Sequence, residues 1–154
     1  MASNISLNQF APNAKVAGMY AYMANLPQPH NIRVSAKQET ALNAGAVLTI
    51  DTTVTSQYAP AMKQAGTTDR IDGVLVYNPV QNEFVAGDRI AIARSGDFVF
   101  MPAGGEITVG TELYFNDNNE VVATGTGSKI GVAYTTATAQ GDLIVVELRF
   151  KEAN

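Results

Sequence analysis

The sequence predicts an all-β protein, in which a compact sandwich or barrel of short strands carries an extended N-terminal arm and little helix. Short runs of apolar or alternating residues recur along the chain, separated by Gly, Asn, Asp and Pro. Only one stretch favours a helix, and it is short. Hydrophobic residues make up 46% of the 154 residues, which is enough to build a core.

Residues 1–32 are interpreted as the arm. They contain a single charged residue, Lys15, and three prolines, and their apolar residues follow neither a helical nor a strand period. A disordered tail normally carries more charge and fewer aromatic residues, so the arm is expected to lie against its own body or against a neighbour. Within it, residues 18–25 fit a short strand and one helical turn equally well.

The β body is expected to span residues 33–154. Its strands are predicted at 32–36, 46–51, 71–77, 88–94, 97–102, 111–115, 120–124, 129–135 and 142–150. The last strand alternates apolar and charged residues from 146 to 150, as a strand buried on one face requires. The single helix candidate is 58–65, with Gly66 as its stop.

A turn-into-strand pattern recurs in this body. An apolar residue is followed by glycine three positions later, and apolar residues lie three and five positions beyond that glycine. Gly45, Gly87 and Gly110 fit the pattern, and Gly141 fits it less fully. Each glycine is predicted to supply the positive φ of a tight turn. The intervals of 42, 23 and 31 residues between them are too irregular for a solenoid or a propeller.

Composition argues against several classes of function. The net charge of −4 disfavours nucleic acid as a partner, because phosphate binding needs a concentrated basic face. The chain has no run of 18 apolar residues, so no membrane-spanning helix and no membrane partner are expected. Because cysteine is absent, we expect no disulfide, no thiolate zinc site and no thiol nucleophile.

Charge is also uneven along the chain. Residues 1–50 carry a net charge of +2, whereas residues 51–154 carry seven basic and thirteen acidic residues, a net of −6. A mildly positive arm beside an acidic body favours pairing with a neighbouring copy, and random scatter among few charges is the alternative. The low share of charged residues, 16%, indicates a surface that contacts other chains.

Candidate chemical groups are few. His30, the only histidine, has no partner beside it and is interpreted as a loop or interface residue. Residues 125–129 (GTGSK) depart from a phosphate-binding loop because serine precedes lysine, and residues 116–120 (NDNNE) lack the spacing of a calcium loop. Asp88 and Asp97 would form an acid pair only if the fold brought them together. We therefore expect no catalysis, no metal and no cofactor.

The aromatic residues divide into two groups. Phe98 and Phe100 share one face of a predicted strand and are expected in the core. Phe10, Tyr20 and Tyr22 belong to the arm and are better candidates for contacts between chains, although an arm folded on its own body would bury them equally well. The predicted capsid or intersubunit contacts are Phe10, Lys15, Met19, Tyr20, Tyr22, Leu26 and His30.

Several short motifs in a fixed order resemble one known family. They are 69–79 (DRIDGVLVYNP), 82–93 (NEFVAGDRIAIA), 95–101 (SGDFVFM), 107–110 (ITVG), 129–132 (KIGV) and 141–146 (GDLIVV). Together they look like the central stretch of bacteriophage capsid cement, or head decoration, proteins. The resemblance covers roughly residues 69–150, and the order of the motifs carries it.

The resemblance implies a structural virion protein without catalysis. Such proteins have a compact β-barrel or β-tulip-like body with an N-terminal arm. They commonly assemble as homotrimers on the exterior of an expanded head, where they clamp neighbouring major capsid protein subunits, after synthesis in the host cytoplasm. The alternatives are another virion part, such as a tail-tube or head-completion protein, and a surface-binding adhesin module.

Overall fold

The computed structural model describes residues 16–22, 32–54 and 60–152. Every regular element within these residues is a β-strand, which confirms the predicted all-β fold class. The strands are β1 (Tyr20–Tyr22), β2 (Arg33–Val34), β3 (Leu42–Asn43), β4 (Val47–Ile50), β5 (Ala61–Gln64), β6 (Gly73–Leu75), β7 (Glu83–Phe84), β8 (Ile92–Ala93), β9 (Phe98–Pro102), β10 (Glu112–Phe115), β11 (Val121–Val122), β12 (Lys129–Ala133) and β13 (Leu143–Lys151).

A six-stranded antiparallel sheet curls around the larger of two cores. Its order is β1-β9-β13-β12-β10-β11. Just beyond β9, Ala103 bridges to Val121 of β11, and Gly104 N donates to Val121 O at 2.8 Å. This bridge brings the chain after β9 onto β11 and curls the sheet into a half-barrel, which protects the edge of β11 from pairing with other chains.

A five-stranded sheet, of order β2-β5-β4-β6-β8, surrounds the second core. Strand β2 runs parallel to β5, and on its other side it pairs with the segment that leads into β8. There Val34 N donates to Asp88 O at 2.9 Å, and Ile90 N donates to Ile32 O at 3.0 Å. The chain before β8 therefore covers the edge of β2, and this sheet also closes on itself.

The five-stranded sheet is buried on both faces because consecutive residues point to opposite cores. Val47 and Val74 belong to the core inside the six-stranded sheet, whereas Leu48 and Leu75 belong to the second core. A strand in this position needs apolar residues on both faces. This arrangement accounts for the continuous apolar run at 74–76.

Tight turns with a glycine at positive φ connect many of the strands. The φ values are 88° at Gly45, 88° at Gly87, 86° at Gly110, 91° at Gly141, 77° at Gly18 and 101° at Gly96. In one turn Asp88 N donates to Val85 O at 3.0 Å, and Val85 N donates back to the Asp88 carboxylate at 2.8 Å. Asp97 and Asp142 accept the equivalent bond in their own turns. Asp88 and Asp97 each serve a separate turn.

The helix predicted at 58–65 is wrong. Ala61–Gln64 forms β5, which pairs with β2 and β4, and residues 55–59 lie outside the described residues. Met62 is 1% exposed while Lys63 is partly exposed, as strand alternation requires. The alanine-rich sequence favours a helix locally, but pairing on both sides satisfies the backbone of β5 and overrides that propensity.

Three short strands, β1, β3 and β7, are not specified by the sequence pattern. The segment at 18–25, open between strand and helical turn, contains strand β1, which pairs with β9. Strands β3 and β7, which have no counterpart among the predicted strands, pair with each other through Leu42 and Phe84. Both residues are buried in the second core.

Asp51 gives the fold a dependence on pH. It is 2% exposed and accepts hydrogen bonds from the hydroxyls of Ser35 and Thr53, both at 2.6 Å. These bonds favour the ionised carboxylate and lower the pKa of Asp51 from its ordinary 3.8 to about 2. The ionised carboxylate therefore stabilises the fold above about pH 4, and this stabilisation is lost as the pH falls through 2.

We expect Asp51→Asn to reduce the pH dependence of the free energy of unfolding between about pH 4 and pH 2. Urea unfolding of the wild type and of the variant at several pH values measures this dependence. Asp117→Asn, at an exposed turn residue, is the control and is expected to leave the dependence unchanged. If the wild type and Asp51→Asn lose stability in parallel across this range, the hydrogen bonds of Asp51 do not cause the pH dependence of the free energy of unfolding.

Candidate functional site

Residues 125–129, whose sequence superficially resembles a phosphate-binding loop, connect the β11–β12 loop to the segment at 67–69 by hydrogen bonds. Ser128 is 1% exposed, its N–H donates to Thr67 O at 2.8 Å, and its hydroxyl donates to Asp69 O at 2.5 Å. Gly127 lies directly against the Thr67 carbonyl, so a side chain there would collide with backbone. The segment at 125–129 therefore has a structural role, in contact with the backbone at 67–69.

The turn at 116–120 joins the two sheets through one asparagine. Asn119 has a positive φ of 59°, which asparagine tolerates better than most residues. Its Oδ1 accepts hydrogen bonds from Val47 N at 2.9 Å and from Gln64 Nε2 at 2.7 Å, and its Nδ2 donates to Gln64 Oε1 at 3.2 Å. These bonds tie the β10–β11 hairpin to β4 and β5.

We expect Asn119→Gly to lower the free energy of unfolding by about 2 kcal/mol, because it leaves a buried donor without its acceptor. Val47, which supplies that donor, is 0% exposed. Glycine accepts the positive φ, so the change isolates the side-chain bonds. Asn118→Gly, at the exposed neighbour in the same turn, is the control. If chemical denaturation shows equal losses of stability for the two variants, the side-chain hydrogen bonds of Asn119 do not stabilise the contact between the two sheets.

Residues 16–22 are bound to both sheets and form the anchor segment. Gly18 N donates to Phe100 O at 2.8 Å, and Gly18 O accepts from Tyr77 N at 3.1 Å. The turn around Gly18 packs against the turn around Gly45, and a Cβ on Gly18 would lie 2.6 Å from Gly45 N. Glycine is needed at this close approach because any side chain would meet backbone atoms.

The predicted contact residues occupy different environments. Met19 is 8% exposed within this chain, and Tyr20 packs against the larger core. Burial raises the pKa of Tyr20, and the charge of Asp97 raises it further. Tyr22 is described only as part of the backbone of β1. Phe10, Lys15, Leu26 and His30 lie outside the described residues.

The outer face of the six-stranded sheet is apolar along β9. Phe98, Phe100 and Pro102 are partly exposed and alternate with Val99 and Met101, which are both 0% exposed. The expectation that Phe98 and Phe100 lie in the core is therefore wrong, although they do share one face. The strand is apolar on both faces, so periodicity alone could not distinguish the inner face from the outer face.

The same face continues onto β13 and beyond β12. Phe100 lies opposite Val145, and Tyr134 N donates to Val145 O at 2.8 Å on the other side. Tyr134 is 54% exposed, and its ring meets Phe98 edge-on with the ring centroids 5.0 Å apart. We call this surface the outer apolar face, and its members are Phe98, Phe100, Pro102, Tyr134, Leu143 and Val145. Val145 is 9% exposed, and the other members are partly exposed or exposed. An apolar surface of this kind is typical of an interaction site.

A cleft of about 180 Å³ opens where the anchor segment meets the loop before β4 and the β10–β11 turn. Ala17, Leu42, Gln64 and Asn118 are among the residues that line it. None of its described lining residues carries an ionisable side chain. The described lining of the cleft therefore offers backbone and amide groups for hydrogen bonding.

Several ionisable groups elsewhere have local structural partners. Backbone N–H bonds from Thr138 and Ala139 lower the pKa of Asp142, and the Lys129 ammonium lowers the pKa of Glu112. In the part of the chain that the structure describes, no three His, Cys, Asp or Glu side chains are grouped to hold a metal ion. None of the described residues forms a helix long and apolar enough to cross a membrane.

Comparisons with known proteins agree with this geometry. The profile of one family, phage cement protein, matches residues 27–148, which is more than half of the chain. Among solved structures, the N base of the head fiber gp8.5 in bacteriophage phi29 is similar in fold, with a TM-score of 0.54 and 18% identity over 79% of this chain and 94% of that chain. No curated protein sequence matches the chain. The chain therefore belongs to the phage cement protein family.

Proposed function

We propose that this protein binds the exterior of a phage head as a homotrimer and ties neighbouring major capsid protein subunits together without catalysis. Membership of the cement family makes it a structural protein of the virion that associates with a phage capsid. The exterior position, the major capsid protein as direct partner, the trimer and the bridging are the proposed parts. Synthesis in the host cytoplasm precedes assembly.

The outer apolar face is the observation that carries this proposal. The outward side of an antiparallel sheet usually faces water and is polar, yet here aromatic and aliphatic side chains line β9 and the first part of β13, up to Glu147. Burying such a surface against another chain gains about 25 cal/mol per Å² of apolar area. The face therefore supports binding through shape and buried area.

The arm supplies the second proposed contact. Residues 16–22 hold the base of the arm on the body beside β9. We assign capsid or intersubunit contacts to Phe10 and Lys15 before this anchor and to Leu26 and His30 after it, while Met19 and Tyr20 secure the anchor itself. A partner clamped from two sites separates less readily, because linked contacts raise the effective concentration of each.

Ordering a free arm costs about 1–2 kcal/mol per residue, so apolar burial has to offset that cost. Ile5, Leu7 and Phe10 are the apolar residues that a neighbouring subunit would bury. An extended segment of fifteen residues reaches up to about 50 Å, which is enough to cross onto an adjacent subunit. Several such arms on one trimer would each engage a different subunit.

We expect deletion of residues 1–15 to leave a folded body that binds phage heads at least about tenfold more weakly. The deletion ends before the anchor segment, so the strand pairing of β1 is retained. A chain in which Gly and Ser replace residues 1–15 at equal length is the control for arm length. Co-sedimentation with heads measures binding, and circular dichroism checks folding. Undiminished binding by the deleted chain would contradict a role for the arm.

A further inference from the structure

Arg33 and Arg89 face each other across two paired strand segments on the five-stranded sheet. The hydrogen bond from Val34 N to Asp88 O, at 2.9 Å, flanks this pair and makes it a non-hydrogen-bonded pair, the type in which facing side chains are closest. Both arginines are exposed. Like charges placed directly opposite each other destabilise a sheet, so the isolated chain carries a cost here.

Neither arginine is neutralised within the described residues. The ion pairs found there join Arg70 to Asp72, Lys129 to Glu112 and Arg149 to Glu147. Arg33 donates only to a backbone carbonyl, that of Gly87, at 3.0 Å. In a chain with a net charge of −4, two facing arginines without a carboxylate form an unmatched basic pair.

The carboxylates beside this pair are committed elsewhere. Asp88 accepts hydrogen bonds from Val85 N at 2.8 Å and from Gln81 Nε2 at 2.9 Å. Asp51 lies on β4's end of the same sheet, where the hydroxyls of Ser35 and Thr53 occupy its oxygens. The structure thus holds Asp88 and Asp51 in turns and loops, and it leaves the two exposed arginines without a carboxylate partner within the described residues.

Three acids lie in the loops at the β10–β11 end of the six-stranded sheet, and we call this region the acidic end; they are Glu106, Asp117 and Glu120. The segment at Gly104 packs against the 116–120 turn, with a Cβ on Gly104 reaching within 3.6 Å of Glu120 Cβ. Asn116 and Gln140 donate to the Glu120 carboxylate at 3.0 and 3.2 Å and hold it in place. No ion pair within the described residues involves these three acids.

We propose that Arg33 and Arg89 of one copy dock on the acidic end of a second copy, so that copies join head to tail. Residues 98–152 carry three basic and seven acidic residues, a net of −4, which supplies charge complementarity to the arginine pair. An arginine fork binds carboxylates through two parallel hydrogen bonds. Two different surfaces in contact make a heterologous interface, which closes into a ring when the rotation permits.

This inference rests on the homotrimer of the proposed function and names the surfaces that build it. Sedimentation velocity of the full chain tests it in low and moderate salt. We expect Arg33→Glu with Arg89→Glu, and separately Glu106→Arg with Asp117→Arg, to raise the dissociation constant of the oligomer about 100-fold. The quadruple variant restores opposite charges and is expected to assemble within about tenfold of the wild type. Added salt is expected to weaken the wild-type oligomer.

A matched control changes the same amount of charge elsewhere, through Lys37→Glu with Lys151→Glu at two exposed lysines, and is expected to assemble normally. Loss of assembly in the control, or assembly of the Arg33 and Arg89 variant at wild-type strength, would overturn the inference. A wild-type protein that stays monomeric would also overturn it. So would an Arg33 and Arg89 variant that assembles normally but does not bind phage heads. Binding of the wild type to phage heads is scored separately, so the proposed function can stand when the docking surfaces fail.

Discussion

Gly131→Ala is expected to lower the free energy of unfolding by about 3 kcal/mol or more, because the added methyl group would overpack a strand interior. Gly131 lies in the middle of β12, opposite Leu148 of β13. A Cβ there would collide with the carbonyl oxygen of Glu147 and would come within 3.0 Å of Val146 Cγ1. Strand β13 carries the core of the six-stranded sheet, so it cannot move aside without opening that core.

Chemical denaturation measures this loss, and Gly105→Ala is the matched control. Gly105 has no positive φ, and nothing lies within 4 Å of the position where its Cβ would be built. We expect the control to stay within about 0.5 kcal/mol of the wild type, as surface substitutions usually do. A Gly131→Ala protein as stable as the Gly105→Ala protein would show that β12 and β13 are not held at this spacing.

Gly18→Ala is expected to cost about 3 kcal/mol and to release the anchor segment from the body. Gly18 has a φ of 77°, which costs a residue with a side chain about 1–2 kcal/mol. The added Cβ would also lie 2.5 Å from Leu75 O and 2.6 Å from Gly45 N, and overpacking of this kind costs about 1–3 kcal/mol. Neither contact is with a flexible side chain that could turn away.

Gly110→Ala separates the two costs. Gly110 has a φ of 86° but nothing within 4 Å of the position of its Cβ, so this variant carries the backbone cost alone. Limited proteolysis should cut the Gly18→Ala protein near residues 16–22 while the Gly110→Ala protein resists there. Equal stability and equal protection of the two variants would contradict the packing of the two glycine turns against each other.

Much of the fold is predictable from the sequence because its strands carry local signals. Alternation marks β13, continuous apolar runs mark β4 and β6, and each predicted strand coincides with a strand of the structure. The apolar run at 74–76 already indicates a strand buried on both faces. The family, too, was indicated by the order of short motifs, and the match over residues 27–148 confirms it.

The features that depend on pairing between distant segments could not be predicted. Strand β5 has the local composition of a helix and becomes a strand only because β2 and β4 flank it. Asn119 forms hydrogen bonds with Gln64 and Val47, which lie 55 and 72 positions away in the sequence. The facing of Arg33 and Arg89 likewise follows from the closing of the five-stranded sheet, which no local pattern encodes.

The outer apolar face illustrates the same limit at the candidate site. Phe98 and Phe100 carry the correct period for one face of a strand, but Val99 and Met101 between them are also apolar. The sequence pattern therefore identifies two apolar faces and leaves open which one meets the core. Burial in the folded chain decides the question, since Val99 and Met101 are fully buried while Phe98 and Phe100 are partly exposed.

We propose that this protein acts by adhesion and holds capsid subunits together. Cryo-electron microscopy of heads assembled with and without the protein tests this most directly. We expect extra density on the outer surface, arranged with local threefold symmetry, with each molecule touching at least two capsid subunits. Density confined to the tail or to the interior of the head, or heads that look the same with and without the protein, would contradict it.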